Sequence, residues 1–528
     1  MPALAEGAEA PAIEVTRPAD PAHGDFATNL AFKLAKPLRM APLEIGRRLA
    51  AEQEGGPIGR VEIAAPGFLN LWLSPAYVEH AIDAARAEGA HYGRVPAARP
   101  LHVNVEFVSA NPTGPLHIGN ARGAFVGDLL CRVLEAAGHR VTREYYFNDF
   151  GSQIRQLGAS VVAIREGTEI PEDGYRGGYV HDLAREVPPA VWGETSAPGA
   201  DRDWIVGLWA QERVRAGIEA SLAHLGVRFD VWKSEGSLYA EGWVEKAIRR
   251  LDEAGFMYEQ EGALWFRSTA LGDDKDRVVR RSNDAYTYFA SDAGYVVEKF
   301  SRGFDHLVYI WGADHHGTVA RVRNAAQAMG YDRDAVEMLL MAWVRFVRDG
   351  VEVSMSKRAG EFISLDELLA EVGVDAARWF FGARSHNSGI DFDIELAKRQ
   401  SADNPVYYVQ YAHARISSIL RKGIEAGLVE ARSAEGSLAG DQIGLGLAKL
   451  VLQLPEVVED AAAHHETQGV TAFATELATA FHAYYRDRRV VDPGDPSTSA
   501  ARLALVSAVR LTLANTLALL GISAPESM

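Results

Sequence analysis

The chain has 528 residues, of which 48% are hydrophobic and 24% charged, and a formal net charge of −17. This composition is typical of a soluble globular protein, and the length is enough for two to four domains. No run of 18 apolar residues occurs and the first twelve residues lack a secretory pattern, which argues against a membrane span and against secretion. The single cysteine, Cys131, excludes an internal disulfide and a zinc site built on paired thiolates, and it fits a cytoplasmic protein.

The first predicted domain is a small α+β unit over residues 1–97. Helices are predicted over 29–36 and 42–53, and strands over 61–65 and 68–73. The first helix belongs to a basic segment that contains Lys33, Lys36 and Arg39. RNA binding needs such patches on an acidic protein, but charge alone favours the simpler interpretation, a solvated helix face.

The second predicted domain, residues 98–388, alternates strand-like and helix-like segments, which indicates a parallel α/β sheet of the Rossmann kind. Strands over 101–108 and 140–147 flank a helix over 121–137, and a further buried strand covers 308–311. A polar stretch over 167–202 is interpreted as an irregular insertion. Ligands of such sheets bind at the carboxyl ends of the strands, so polar residues that directly follow strands are of interest.

The third predicted domain, residues 389–528, is nearly all-helical. Asn404 and Pro405 are typical of a helix start, and the last helix is predicted over 501–520, ending at Gly521.

Residues 111–120, Asn-Pro-Thr-Gly-Pro-Leu-His-Ile-Gly-Asn, form a turn between the first predicted strand of the sheet and its helix. A helix N-terminus binds phosphate well, and the imidazole of His117 can stabilise charge that develops on an α-phosphate. Gly119 leaves room for a nucleobase, and Asn120 can donate a hydrogen bond. The predicted nucleotide contacts in this turn are Pro112, Gly114, His117, Gly119 and Asn120.

A second short segment, residues 354–360, has the sequence Ser-Met-Ser-Lys-Arg-Ala-Gly. Lysine in a loop is usually a surface residue. Here it follows a predicted strand over 343–348 and an Asp-Gly turn, a context that suits a flexible clamp on pyrophosphate. We therefore expect Met355, Ser356 and Lys357 to contact ATP, with Lys357 as a catalytic group beside His117.

The two segments together resemble the His-Ile-Gly-His and Lys-Met-Ser-Lys-Ser motifs of class I aminoacyl-tRNA synthetases. More narrowly, the chain resembles arginyl-tRNA synthetases, with blocks in the same order that include VEFVSANPTGPLHIGNARGAFVGD, YYFNDFGSQI, YIWGADHHG and NPVYYVQYAHARI. Asn120 and Ser354 depart from the motifs, where the family has histidine and lysine. The N-terminal module also begins late, as though its usual first helix were absent.

The resemblance implies a tRNA-elbow module, a class I Rossmann catalytic domain and a helical anticodon-binding domain. It implies the substrates ATP, L-arginine and tRNA(Arg), with Mg²⁺ carried by the nucleotide. We also expect a monomer and, because the chain has a single cysteine, no structural zinc. The residues expected to contact arginine are Glu106, Asn111, Tyr288, Asp292, Asp314 and His315. Those expected to contact tRNA are Lys33, Lys36, Arg39, Tyr407, Tyr485 and Arg488.

Simpler interpretations stand beside these expectations. A buried carboxylate such as Glu106 or Asp292 can pair with a protein lysine or arginine instead of a substrate guanidinium. His315 and His316 are adjacent and point apart, so they predict no metal. Three other functions are possible: another class I synthetase, an inactive RNA-binding paralogue, or a small-molecule ligase with the same nucleotide fold. The all-helical last third argues against the ligase.

Overall fold

The computed structural model describes residues 11–51, 56–353, 364–434, 436, 438 and 440–528. The N-terminal part is a three-stranded antiparallel sheet, in the order β1-β3-β2, with two helices packed on it. Leu34, Ile45 and Leu69 belong to a small core of its own. Its elements are β1 (Phe26–Thr28), α1 (Leu30–Leu38), α2 (Pro42–Ala51), β2 (Ile58–Ala64) and β3 (Phe68–Leu73). The predicted helices and strands are confirmed to within a few residues.

The central part carries the main sheet and its covering helices. Its elements are α3 (Pro75–Glu88), β4 (His102–Glu106), α4 (Ala121–Ala136), β5 (Arg140–Phe147), α5 (Ser152–Glu166), α6 (Gly178–Glu186), α7 (Pro189–Glu194), α8 (Arg202–His224), β6 (Val231–Ser234), α9 (Glu235–Ala240), α10 (Trp243–Glu253), β7 (Met257–Gln260), β8 (Ala263–Phe266), β9 (Arg277–Arg280), α11 (Tyr288–Ser301), β10 (His306–Gly312), α12 (His316–Ala328), β11 (Val336–Met341), β12 (Val344–Arg348), β13 (Val351–Glu352), α13 (Leu365–Val372), α14 (Val374–Gly382) and β14 (Ile390–Asp393).

The main sheet has the strand order β11-β10-β4-β5-β6, and all four strand pairs are parallel. The chain leaves β4 toward β5 through α4 and later returns to the other side of β4 with β10. The strand order therefore reverses between β4 and β10. A crevice forms at the carboxyl ends of strands where the order reverses, and ligands of open α/β sheets bind there.

Three features of this part differ from the expectations. The insertion over 167–202 is not irregular, because it contains α6 and α7, which pack on α5 and α8. A separate antiparallel sheet, β7-β8-β9, lies between β6 and β10 in the chain and was not predicted. Strand β14 pairs with β12, so the sheet structure continues a few residues beyond the predicted boundary at 388.

The C-terminal part is helical, as predicted. Its helices are α15 (Ile394–Lys398), α16 (Pro405–Glu425), α17 (Gln442–Val451), α18 (Leu454–His464), α19 (Gln468–Asp487) and α20 (Pro496–Leu520). They share one hydrophobic core with α4 and α14 of the central part. Within the described residues, α20 alone is long and apolar enough to span a membrane. However, 61% of its apolar 18-residue stretch is buried in the protein, as in an ordinary core helix.

The helical part contacts both the N-terminal part and the segment from α3 to Tyr92 that leads into the main sheet. Helix α3 packs on α17 and α20. The hydroxyl of Tyr92 donates a 2.8 Å hydrogen bond to the carbonyl of Val451, and Arg17 forms an ion pair with Glu456 at 2.6 Å. The helical domain is thus held between the central sheet and the N-terminal module.

Candidate active site

The backbone turns sharply where β4 ends. Val108 and Ser109 have positive φ angles of 67° and 43°, which is costly for residues with a Cβ, on the order of 1–3 kcal/mol each. Hydrogen bonds hold this turn: Ser109 Oγ donates to Glu106 Oε1 at 3.3 Å and accepts from the amide of Tyr146 at 3.1 Å. The chain is thereby directed across the strand ends into the segment 111–120.

His117 caps the short helical turn that precedes α4. Its Nδ1 accepts a 3.0 Å hydrogen bond from the amide of Gly119, and Asn120 Oδ1 accepts one of 3.2 Å from the amide of His117. An Nδ1 that accepts requires the proton of a neutral ring to be on Nε2. The reciprocal bond also gives Asn120 a structural task, because its side chain fixes the backbone of the histidine.

Two glycines in this segment are required by close approaches. A Cβ on Gly119 would lie 2.7 Å from Cε1 of His117, so any side chain would displace the imidazole. A Cβ on Gly114 would lie 3.2 Å from the hydroxyl of Tyr179, which donates to the carbonyl of Thr113 at 2.9 Å. Tyr179 comes from α6, so the insertion supports the turn.

Met355, Ser356 and Lys357 lie outside the described residues, as do Ser354 and Arg358. The described residues on either side show where the segment is attached. Before it, the amide of Val353 donates to the carbonyl of Phe346 at 2.9 Å. After it, Ser364 forms an isolated antiparallel bridge with His117, so the described chain resumes beside the histidine.

Asp292 is the most perturbed carboxylate of the crevice. It lies on α11 four residues after Tyr288, on the same face of the helix. Burial raises the pKa of Asp292 to about 7; Arg321 opposes this shift and the charges of Glu106 and Glu235 add to it. Among the described residues, no basic nitrogen lies within 4.0 Å of this carboxylate. The pocket therefore has more negative charge than the protein neutralises.

Glu235 is a pocket residue that was not predicted from the sequence. It is the first residue of α9, directly after β6, and it is 7% exposed. Burial raises its pKa, and Ser291 Oγ donates to its Oε1 at 3.2 Å. The rule that polar residues after strands are of interest would have found Glu235, but the four-residue strand β6 gave no clear signal.

The buried carboxylate of Glu106 is paired with a lysine of the protein itself. The buried Lys299 Nζ lies 2.6 Å from Glu106 Oε2, and the rings of Tyr295 and Tyr309 flank the ammonium group. Burial raises the pKa of Glu106 while Lys299 opposes that shift. This ion pair favours the simpler interpretation for Glu106 Oε2, and the contact of Glu106 with arginine stays a prediction. Its Oε1, with one long bond from Ser109, is the atom that could still contact a substrate.

The other predicted arginine contacts lie at the crevice. Asn111, after β4, donates to Gln153 Oε1 at 2.9 Å. Asp314 and His315 form the turn after β10, are exposed, and lie 3.7 Å apart at their closest polar atoms. Tyr288 is 69% exposed. The structure thus places predicted residues from β4, β10 and α11 at one edge of the sheet.

The predicted tRNA contacts fall into two groups. Lys36 and Arg39 are exposed on α1, while Lys33 is paired with Glu14 at 2.8 Å. Arg488 donates two hydrogen bonds to Asp441 and Tyr485 stacks with Arg415, so both have partners within the helical domain. These pairings favour the structural interpretation of the segment 484–489.

Tyr407 differs from the other predicted tRNA contacts because it lines a cleft. The cleft has a volume of about 640 Å³ and lies between α14, α15 and α16. Lys398, Arg399 and Met528, the last residue, also line it. Lys398 is paired with Glu371 and Arg399 with Asp403. The aromatic ring is therefore the feature that suits an unpaired nucleotide base.

Comparison with known proteins agrees with this geometry. Three family profiles match: the arginyl tRNA synthetase N terminal domain over residues 3–73, the catalytic domain of tRNA synthetases class I (R) over 82–170 and 201–387, and the DALR anticodon binding domain over 409–528. The chain belongs to the arginyl-tRNA synthetase family. The predicted family, the class I catalytic domain and the helical C-terminal domain are thereby confirmed.

Individual relatives match over nearly the whole chain. An arginine–tRNA ligase from Citrifermentans bemidjiense is 46% identical over 98% of this chain and 96% of its own length. One from Syntrophotalea carbinolica is 46% identical over 98% and 95%. The solved arginyl-tRNA synthetase from Thermus thermophilus shares the fold, with a TM-score of 0.76 at 24% identity over 98% of this chain and 96% of that one.

Proposed function

We propose that the chain catalyses the ATP-dependent ligation of L-arginine to tRNA(Arg), the reaction of the family to which it belongs. The arginine carboxylate attacks the α-phosphorus of ATP, forming arginyl-adenylate and releasing pyrophosphate. The 2′-hydroxyl of the terminal tRNA adenosine then attacks the carbonyl carbon and AMP leaves. The observation that carries the proposal is the pair of carboxylates Asp292 and Glu235, neither of which forms an ion pair with a described side chain, in a class I catalytic domain.

The nucleotide is assigned to the segment 111–120 and the N-terminus of α4. His117 Nε2–H would donate to the α-phosphate, and the backbone around Gly114 and Gly119 allows close approach. Pro112 and Asn120 hold the turn, while Met355, Ser356 and Lys357 would close on the pyrophosphate. The segment 111–120 contains no carboxylate, so Mg²⁺ would be bound mainly by phosphate oxygens and waters, as it prefers. Catalysis then consists of positioning and electrostatics.

The arginine side chain is assigned to the carboxylates of Asp292 and Glu235. A guanidinium presents a planar fork of donors that two carboxylates can bind, whereas lysine offers a single ammonium. Tyr288 would cover the side chain from the first turn of α11. Glu106 Oε1 and Asn111, at the end of β4, would bind the α-amino group, with Asp314 or His315 on the other side of the crevice.

We further propose that tRNA(Arg) contacts both flanking domains of a cytoplasmic monomer. The cleft at Tyr407 would take an anticodon-loop base, and Lys36 and Arg39 of α1 would meet the phosphates of the tRNA elbow. The paired side chains Arg488 and Tyr485 would contribute less, since binding would first have to break their present contacts.

The test replaces Asp292 by alanine and measures both arginine charging and tRNA affinity. We expect charging to be abolished while tRNA binding changes less than twofold, because only the terminal adenosine would enter the crevice and the other proposed tRNA contacts lie outside it. Asp284→Asn, at an exposed position paired with Arg280 whose positive φ asparagine tolerates, is the control and should charge normally. Normal charging by Asp292→Ala would show that the guanidinium is bound elsewhere.

A further inference from the structure

A cluster of two histidines and one glutamate lies at the edge of the main sheet opposite the active site. His306 is the first residue of β10, Glu337 is the second residue of β11, and His465 directly follows α18 of the helical domain. One nitrogen of each histidine and one carboxylate oxygen all lie within 4.8 Å of one another. The proposed reaction does not use these three residues.

The geometry of the cluster is close to that of a metal site. Glu337 Oε2 lies 3.2 Å from His306 Nε2 and 2.9 Å from His465 Nδ1. Two ligands bound to a tetrahedral zinc at about 2.0–2.1 Å are about 3.4 Å apart. The two glutamate–histidine distances therefore differ from those of a zinc site by only a few tenths of an ångström.

We propose that His306, Glu337 and His465 form a binding site for a divalent transition-metal ion of the zinc type. Two imidazoles and one carboxylate are a common protein ligand set for such ions, with water in the remaining position. The ion would replace the proton on the ring nitrogen that faces Glu337 Oε2: a charged ring would release that proton to solvent, and a neutral ring would carry it on its other nitrogen. The expectation of no zinc was based on the missing thiolates and on His315 and His316. His306, Glu337 and His465 are too far apart in the chain to form a recognisable sequence motif.

The surroundings of the cluster favour a cation. Glu337 Oε2 contacts a ring nitrogen of both His306 and His465, so a carboxylate oxygen and two imidazole nitrogens face one point. The ligand side chains are 14–34% exposed, which leaves a path by which an ion can enter.

The helix end at His465 sets the direction of its side chain. This residue adopts a left-handed conformation, with φ of 53°, at the C-terminus of α18. That conformation is uncommon for residues other than glycine, and here it turns the imidazole toward the sheet. An ion bound there would cross-link the catalytic sheet to the helical domain. Because the ligands meet only in the folded chain, metal binding should stabilise the native state.

The test titrates chelator-treated full-length protein with Zn²⁺ in competition with a chromophoric chelator, and with Co²⁺ followed by its visible absorption. We expect one Zn²⁺ per chain, a Co²⁺ spectrum of a four- or five-coordinate site, and a melting temperature that rises with Zn²⁺. His306→Gln and His465→Gln should each weaken the affinity on the order of 100-fold or more and remove the thermal shift. His464→Gln, at the exposed neighbour paired with Asp460, should behave as wild type.

Two results would overturn the proposal. One is no stoichiometric binding by the wild-type protein, which would make the cluster an imidazole–carboxylate ion pair between domains. The other is binding that survives both glutamine variants, which would place the ion elsewhere. Melting in chelator without metal confirms that each variant is folded, and Glu337→Gln provides a third ligand test if one histidine variant does not fold. None of these readouts depends on arginine or ATP, so they are independent of the proposed reaction.

Discussion

The pKa of Asp292 makes a specific prediction about how arginine binding depends on pH. In the free enzyme, burial and the nearby charges of Glu235 and Glu106 bring that pKa to about 7. A guanidinium binds the ionised carboxylate. At pH 8 about 90% of Asp292 is ionised and at pH 6 about 9%, so we expect the KM for arginine to be about tenfold higher at pH 6 than at pH 8.

Replacing Asp292 by asparagine should remove both the affinity and its pH dependence. Breaking a buried charge pair costs about 3–5 kcal/mol, which corresponds to roughly 10²-fold to 10³-fold or more in kcat/KM for arginine. The assay is arginine-dependent charging of tRNA(Arg) from pH 6 to pH 8 at saturating ATP, with Asp284→Asn as the matched control. A wild-type KM that does not change over this range, or a slope that persists in Asp292→Asn, would refute the assignment of Asp292.

The same substitution should stabilise the free protein. The folded-state pKa of Asp292, about 7, is above its ordinary value of 3.8. Between these values the native state holds a proton that the unfolded state lacks, so its contribution to stability falls as pH rises through this window. At pH 8 the penalty is at most about 4 kcal/mol, less what partial solvent access restores. We expect Asp292→Asn to unfold at higher urea than wild type at pH 8 and at nearly the same urea at pH 4.

Three further substitutions test the other assignments. Lys357→Ala should slow adenylate formation by roughly 10²-fold or more, the scale of losing one charge-stabilising donor. The control is Lys275→Ala, in an exposed loop. A rate of Lys357→Ala near that of wild type would exclude Lys357 as the clamp on pyrophosphate. Asn120→Ala removes the bond to the amide of His117, worth about 1 kcal/mol, and should lower kcat about fivefold with an unchanged KM for arginine; a changed KM would point to direct contact with the amino acid. Tyr407→Ala should raise the KM for tRNA about tenfold or more, as expected from the loss of one base-stacking ring, and unchanged tRNA kinetics would remove the cleft from the tRNA surface.

The regular elements of the fold could be predicted because each carries a local signal. Strand β5 and helix α4 follow from apolar periodicity bounded by turn residues, and the start of α16 follows from Asn404 and Pro405. At α16 the position of the helix start is as predicted, but the role of Asn404 is not. Its side chain does not cap the helix and instead donates to the carbonyls of Ala397 and Arg399.

The site was only partly predictable, because its electrostatics depend on residues that are distant in the chain. Asp292 and Glu106 look alike in the sequence as carboxylates near strand or helix ends. Lys299, 193 positions after Glu106, forms an ion pair with that carboxylate. Among the described residues, no basic nitrogen lies within 4.0 Å of the Asp292 carboxylate. Arg488 is likewise a candidate RNA contact in the sequence, whereas in the fold its guanidinium donates two hydrogen bonds to Asp441. Such pairings follow from packing, which periodicity and motifs do not specify.

The most direct test of the central claim is the charging of bulk tRNA by the purified chain with each of the twenty radiolabelled amino acids. We expect incorporation of arginine alone, dependent on ATP. Incorporation of a different amino acid would keep the fold and contradict the assignment of Asp292 and Glu235 to a guanidinium. No incorporation, with tRNA binding intact, would contradict the enzymatic function itself and direct attention to Asn120 and Ser354, where the two motifs depart from the family pattern.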